Sequence, residues 1–145
     1  MTHRSVLRIA FHGVLLIALG MLVGLPFASS ITGDSGPEMQ RAWRVAHTSL
    51  VGIGVLYVAI AAIAEHLVLS PRAAGFVTWA VMLSLYPFVL AFVIGPFFDA
   101  RGLEATGPFM NALVFGLFAV TLPALFVATL TVLWGLYAAM KRVAR

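Results

Sequence analysis

Four long apolar stretches constrain this chain more than anything else in it. They run from about Leu7 to Ala28, Trp43 to Leu69, Ala73 to Phe98 and Pro108 to Met140. Each exceeds the ~20 residues that cross ~30 Å of hydrocarbon at ~1.5 Å per helical residue. In lipid every backbone polar group needs an internal partner, so spanning segments of this length and composition are helices. The expected fold is all-α: an integral membrane four-helix bundle, with residues 1–145 as one transmembrane domain. Hydrophobic residues make up 62% of the chain and charged residues 10%, against roughly 25% charged in soluble domains. A soluble domain of this length has too little interior to hide so much apolar surface.

Polar segments separate the blocks. Thr32-Gly33-Asp34-Ser35-Gly36-Pro37 forms the first loop, and Ser70-Pro71-Arg72 forms a short second turn. The third loop runs from Asp99 to Gly107. Gly20 and Gly24 make a small-xxx-small pattern in the first span, which permits close helix approach. Pro87, Pro96 and Pro123 remove backbone donors inside spans, where neighbouring helices can satisfy the freed carbonyls. Arg4, Arg8 and the apolar run up to Ala28 resemble a signal peptide, but we read them as a retained first span.

The formal net charge is +4. Its cations cluster at the chain ends, so they are expected to face anionic lipid rather than nucleic acid. Arg4, Arg8, Arg72, Lys141, Arg142 and Arg145 fall on one side of a four-span chain, and Arg41, Arg44 and Arg101 on the other. Six cations against three place both termini in the cytoplasm, with a bacterial inner membrane as the expected location. Trp43, Trp79 and Trp134 lie toward span ends, as interfacial aromatics do.

The chain has no cysteine. That excludes disulfides, thiolate metal sites, iron–sulfur clusters and covalent c-type haem. Any metal or haem must be held by histidine or oxygen. His3 precedes the first span and is expected to be solvated. His12 and His66 reach similar depth on the cytoplasmic side, where they either meet or sit cheaply near the interface; the second reading is favoured. His47 enters the second span, and an ionisable residue inside a membrane segment is a functional candidate by default. Helical spacing puts Trp43, Arg44, His47, Val51 and Gly54 on one face. That face offers a nitrogen ligand, a cation, an aromatic plate and space beside a glycine, a combination that suits haem. A histidine hydrogen-bonded to a carbonyl at the interface satisfies the same spacing. Asp99, Arg101, Glu104 and Asn111 come to the same side, where Arg41, Arg44 and Arg101 form a candidate anion-binding rim.

Several segments resemble the bacterial styrene oxide isomerases, which are small four-span membrane proteins. They are Phe11-His12-Gly13-Val14-Leu15, Trp43-Arg44-Val45-Ala46-His47, Arg101-Gly102-Leu103 followed by Gly107-Pro108 and Asn111, and Gly135-x-Tyr137 leading to Lys141. Each is short; their shared order and spacing carry the resemblance. It implies a homotrimer that binds haem b, with His47 as the single axial histidine and metal ligand. It also implies that ferric iron serves as a Lewis acid opening a small apolar aryl epoxide, with a 1,2-hydride shift to an aryl acetaldehyde. The chain departs from the family at three pocket positions. Ile53 stands where the family has asparagine, and Phe92 and Phe88 stand where it has tyrosine and asparagine. Tyr57 and Tyr86 are alternative sources of a pocket hydroxyl, and the apolar replacements would suit a greasier epoxide. Two other readings stand beside the enzyme: a haem-binding electron carrier or sensor without isomerase activity, and a cofactor-free bundle.

Overall fold

The computed structural model of the protein describes residues 1–33 and 35–144. Asp34 of the first loop and Arg145 of the terminal basic cluster lie outside the described residues. Four helices carry the chain: α1 (His3–Thr32), α2 (Pro37–Ala62), α3 (Pro71–Phe97) and α4 (Phe109–Val143). All four are long and apolar enough to span a membrane. Phe11, Trp79, Phe126 and Leu133 are all at least 60% exposed. A surface of large apolar side chains is stable only against lipid or another apolar partner.

Local chemistry starts the helices. Thr2 caps α1 by accepting from the Ser5 amide, and Ser70 caps α3 by accepting from the Ala73 amide, both at 3.2 Å. Pro37 and Pro71 open α2 and α3, where a missing N–H costs nothing. Arg41 and Arg44 therefore stand on α2 itself rather than in the loop before it.

The second span is shorter than its apolar run suggests. Helix α2 stops at Ala62, and a single 3₁₀ turn spans Ala64–His66. The segment after it folds back along α4, where the Val68 amide donates to the Gly135 carbonyl at 3.2 Å. Hydropathy alone cannot separate helix from an apolar segment seated on another helix. Gly135 makes the seat possible: a Cβ there would lie 2.9 Å from Leu69 Cδ2.

The helices pack as two hairpins, α1 with α2 and α3 with α4, joined through α2–α3 and α1–α3 contacts. Ile9, Leu16, Leu50, Val77, Val81, Leu85, Leu125 and Val132 form most of the core. Glycines let α1 and α2 approach to backbone contact. A Cβ on Gly54 would sit 2.7 Å from the Gly13 carbonyl, and one on Gly20 2.9 Å from the Val51 amide. Close packing of this kind is what helices use in lipid, where apolar burial gives little drive.

Three buried hydroxyls join α2, α3 and α4. The Tyr57 hydroxyl lies 2.6 Å from Ser84 Oγ and donates to the Val81 carbonyl at 3.1 Å. Thr121 donates to the Ser84 carbonyl at 3.4 Å. These bonds tie α2 and α4 to the turn of α3 just before Pro87.

Candidate functional site

His47 faces α1. Its Nδ1 lies 2.8 Å from the Gly20 carbonyl, and its ring stacks on Phe27 with centroids 6.1 Å apart. A carbonyl only accepts, so Nδ1 carries a proton, and in the neutral ring the lone pair is on Nε2. Gly24 leaves room for the ring: a Cβ there would lie 3.2 Å from Nδ1. The ring is half-buried.

The face expected from helical spacing is only partly assembled. Val51 and Gly54 join His47 against α1, but the space beside Gly54 is filled by the Gly13 carbonyl and Ile17. The flat group expected beside Gly54 has no room there, because α1 approaches to backbone contact. Trp43 turns toward α3, buried edge-to-face on Phe97 at 5.0 Å, so it is a packing residue rather than an exposed interfacial aromatic. Arg44 is exposed.

A cavity of about 730 Å³ opens between α2 and α4. Val45, Ala91, Phe92, Phe115, Phe118 and Ala119 contribute to its walls, and Glu38, Arg41, Asp99 and Arg101 supply charges at its loop end. His47 does not line it. His47 and Val45 are two residues apart, roughly 200° around the helix, so they serve opposite sides of α2. Phe92 lines the chamber, while Phe88 is buried behind it; the two rings and Phe118 pack edge-to-face. Ile53 packs against the core. Neither tyrosine supplies the chamber with a hydroxyl. Tyr57 is committed to Ser84, and Tyr86 is exposed on α3 beside His12, ring centroids 6.4 Å apart.

The loop over the chamber is tightly organised. Helix α3 ends in a cap in which Asp99 adopts φ 49° and the Ala100 amide donates to the Gly95 carbonyl at 2.9 Å. Asn111, at the start of α4, then holds the loop from beneath. Its Oδ1 accepts from the Gly102 amide at 2.8 Å. Its Nδ2 donates to the Glu104 carbonyl at 2.9 Å and the Thr106 carbonyl at 2.7 Å. Gly102 is at φ 61°, and a Cβ there would lie 3.0 Å from the Phe115 amide, so no larger residue fits without rearrangement. Arg101 pairs with Glu38 on the first turn of α2. Its hydrogen bond to that carboxylate, and then the carboxylate's charge, push the guanidinium above its ordinary value. Sequence reading placed Arg101 and Asn111 on this side but missed Glu38. Its signal was an acid one residue after a helix-opening proline.

Of the expected rim, Arg41 and Arg101 line the chamber and Arg44 does not. His12 and His66 are not brought together. His12 Nδ1 contacts its own helix at the Arg8 carbonyl, and His66 pairs with its neighbour Glu65 at 3.6 Å. Among the described residues, no three histidine or acidic side chains form a metal-binding group. A haem iron needs only one protein ligand, and His47 fits that role by its donor chemistry. A ligating imidazole characteristically gives its other N–H to a carbonyl or carboxylate, which is the bond His47 makes to Gly20.

No individually curated protein matches the chain. A family model described as styrene oxide isomerase matches residues 6–137, most of its length. That match includes His47, the chamber walls and the Asn111 loop. The chain belongs to the styrene oxide isomerase family.

Proposed function

We propose that the protein is a haem b-dependent membrane isomerase that converts an apolar aryl epoxide to an aryl acetaldehyde. The observation that carries this reading is the His47 imidazole, held by Gly20 so that Nε2 is free to ligate. Family membership supports the isomerase chemistry. Bound at His47, haem b would supply a Lewis acid that draws on the epoxide oxygen, favouring benzylic C–O opening and a hydride shift with no net redox change.

The chain's own residues do the rest. Phe92, Phe115 and Phe118 give an aryl group an aromatic wall and exclude water from the chamber. Arg41 offers a cation at the chamber's loop end, with no ion-pair partner among the described residues. His47 and the chamber lie on opposite sides of α2, so one chain does not complete the site. A homotrimer answers this, because assembly lets one copy's His47 face a neighbour's chamber. The count of basic residues supports both termini in the cytoplasm, and the bacterial inner membrane is the location the family resemblance implies.

Purification from haem-replete cells tests the cofactor first. A Soret band is expected, and it should vanish in His47→Ala. Adding styrene oxide and bulkier aryl epoxides should then yield aldehydes. A colourless wild-type preparation overturns the haem assignment. Haem without aldehyde from any epoxide favours a haem-binding carrier or sensor, a reading motivated by the apolar Ile53, Phe88 and Phe92.

A further inference from the structure

We propose that the Asn111-held loop and its Glu38–Arg101 bridge form a cap that keeps water out of the α2–α4 chamber. Below the loop the named wall residues are apolar, and the charged groups gather at the loop end. The sides of the chamber open between helices whose outward faces are apolar, so lipid or, in the proposed trimer, a neighbouring copy covers them. Water therefore has one direct route, through the loop end, where Arg101 reaches across to Glu38.

The two halves of the cap differ in stiffness. Asn111 fixes the loop with three hydrogen bonds, and Ala100 is buried against Val114 and Ala91. The Glu38–Arg101 bridge is exposed on both partners. Exposed ion pairs are weak, so this half opens readily while the loop stays in place. Asn111 is a positioning residue: it acts on the chamber through the place it gives Arg101.

The chemistry gives the cap a purpose, and this part rests on the isomerase reading. Once the benzylic C–O bond opens, that carbon lacks an electron pair. If the neighbouring carbon passes it a hydride, the product is the aldehyde, with no atoms gained or lost. If water adds its oxygen there and its proton passes to the former epoxide oxygen, the product is a 1,2-diol. Excluding water selects the aldehyde.

The natural absence of cysteine makes water access directly measurable. Ala119→Cys places one thiol in the chamber wall, ten residues down α4 from Phe109 and roughly 15 Å along it. The protein is reconstituted in lipid vesicles, permeabilised so that a charged methanethiosulfonate reaches both faces. Modification should be slow with the cap intact. Glu38→Ala should speed it roughly twofold to fivefold, the range an exposed pair supports. Asn111→Ala should speed it at least as much. The exchange of Glu38→Arg with Arg101→Glu should return it toward the starting rate. Unchanged rates with Glu38→Ala, or no recovery on exchange, overturn the cap. In the same variants the diol fraction from an aryl epoxide should rise with the modification rate. Faster modification without more diol overturns the water-exclusion role. If modification responds but no variant makes aldehyde, the isomerase reading fails and the cap stands. If aldehyde forms while modification is unresponsive, the reverse holds.

Discussion

The Nδ1–H of His47 donates to the backbone carbonyl of Gly20, 27 residues away in sequence and 2.8 Å away in space. This bond decides which ring nitrogen is free, and it depends on α1 lying close enough to α2. The glycines of α1 are therefore part of the environment of His47 as well as of the helix packing.

Gly24→Val should weaken haem binding without removing the ligand. A Cβ at Gly24 already falls 3.2 Å from His47 Nδ1 and 3.3 Å from Cε1, and a branched side chain must push the ring away from Gly20. Disturbing the group that orients a ligating histidine typically costs 10–100-fold in affinity, and about that loss is expected here. Haem titration of the apoprotein, followed at the Soret band, measures it. Wild-type affinity in Gly24→Val would show that the Gly20 bond does not orient the ligand.

The α1–α2 contact should tolerate no side chain at Gly54. Gly54→Val would drive a Cβ to 2.7 Å from the Gly13 carbonyl, and overpacking of this kind costs about 1–3 kcal/mol. Gly52, two residues earlier, has nothing within 4 Å of a built Cβ. Gly52→Ala should be neutral or stabilising by up to about 1 kcal/mol. Unfolding by denaturing detergent, followed by circular dichroism, compares the two. Equal midpoints would mean that the helices separate without cost.

Tyr57→Phe should lower stability modestly and leave the Soret band unchanged. It removes the hydroxyl that links α2 to Ser84 and Val81 but keeps the buried ring. Hydrogen bonds between membrane helices average about 0.6 kcal/mol and reach about 1.7. Detergent unfolding reads the loss. A large fall in epoxide turnover with unchanged stability would instead place the hydroxyl on the substrate.

Phe92→Tyr should raise kcat/KM for a small aryl epoxide. Phe92 lines the chamber, and the family resemblance implies a tyrosine at this position, so under the proposed function the substitution adds a donor to the wall beside the substrate. One neutral hydrogen bond supports a gain of roughly threefold to tenfold. Aldehyde formation at low substrate concentration measures kcat/KM directly. A fall in kcat/KM would mean that this chain's substrate needs the apolar wall.

The four helices were legible because length and hydropathy are properties of contiguous sequence. Gly20 announced close packing, whereas Pro37 and Pro71, read as loop and turn, proved to open α2 and α3. The end of α2 was not legible. Leu67 and Leu69 are as apolar as helical residues, and only the Gly135 surface of α4 shows why the chain leaves the helix there. His47 stood out as an ionisable residue inside a span. Its proton, its hydrogen-bond partner and the direction of its ring depended on a residue in another helix.

Sequence by itself therefore determined four helices long and apolar enough to span a membrane, and it singled out His47 as an ionisable residue inside one of them. Each follows from local composition, because lipid imposes the same demand on every span. The tertiary structure alone decided which residues these helices bring together. It filled the space at Gly54 with α1, turned Trp43 onto Phe97, committed Tyr57 to Ser84, and brought Glu38 to Arg101 across the chamber. Those outcomes depend on the angle and separation of helices far apart in the chain, and a few ångströms of helix approach decide whether a glycine leaves a cavity or closes one.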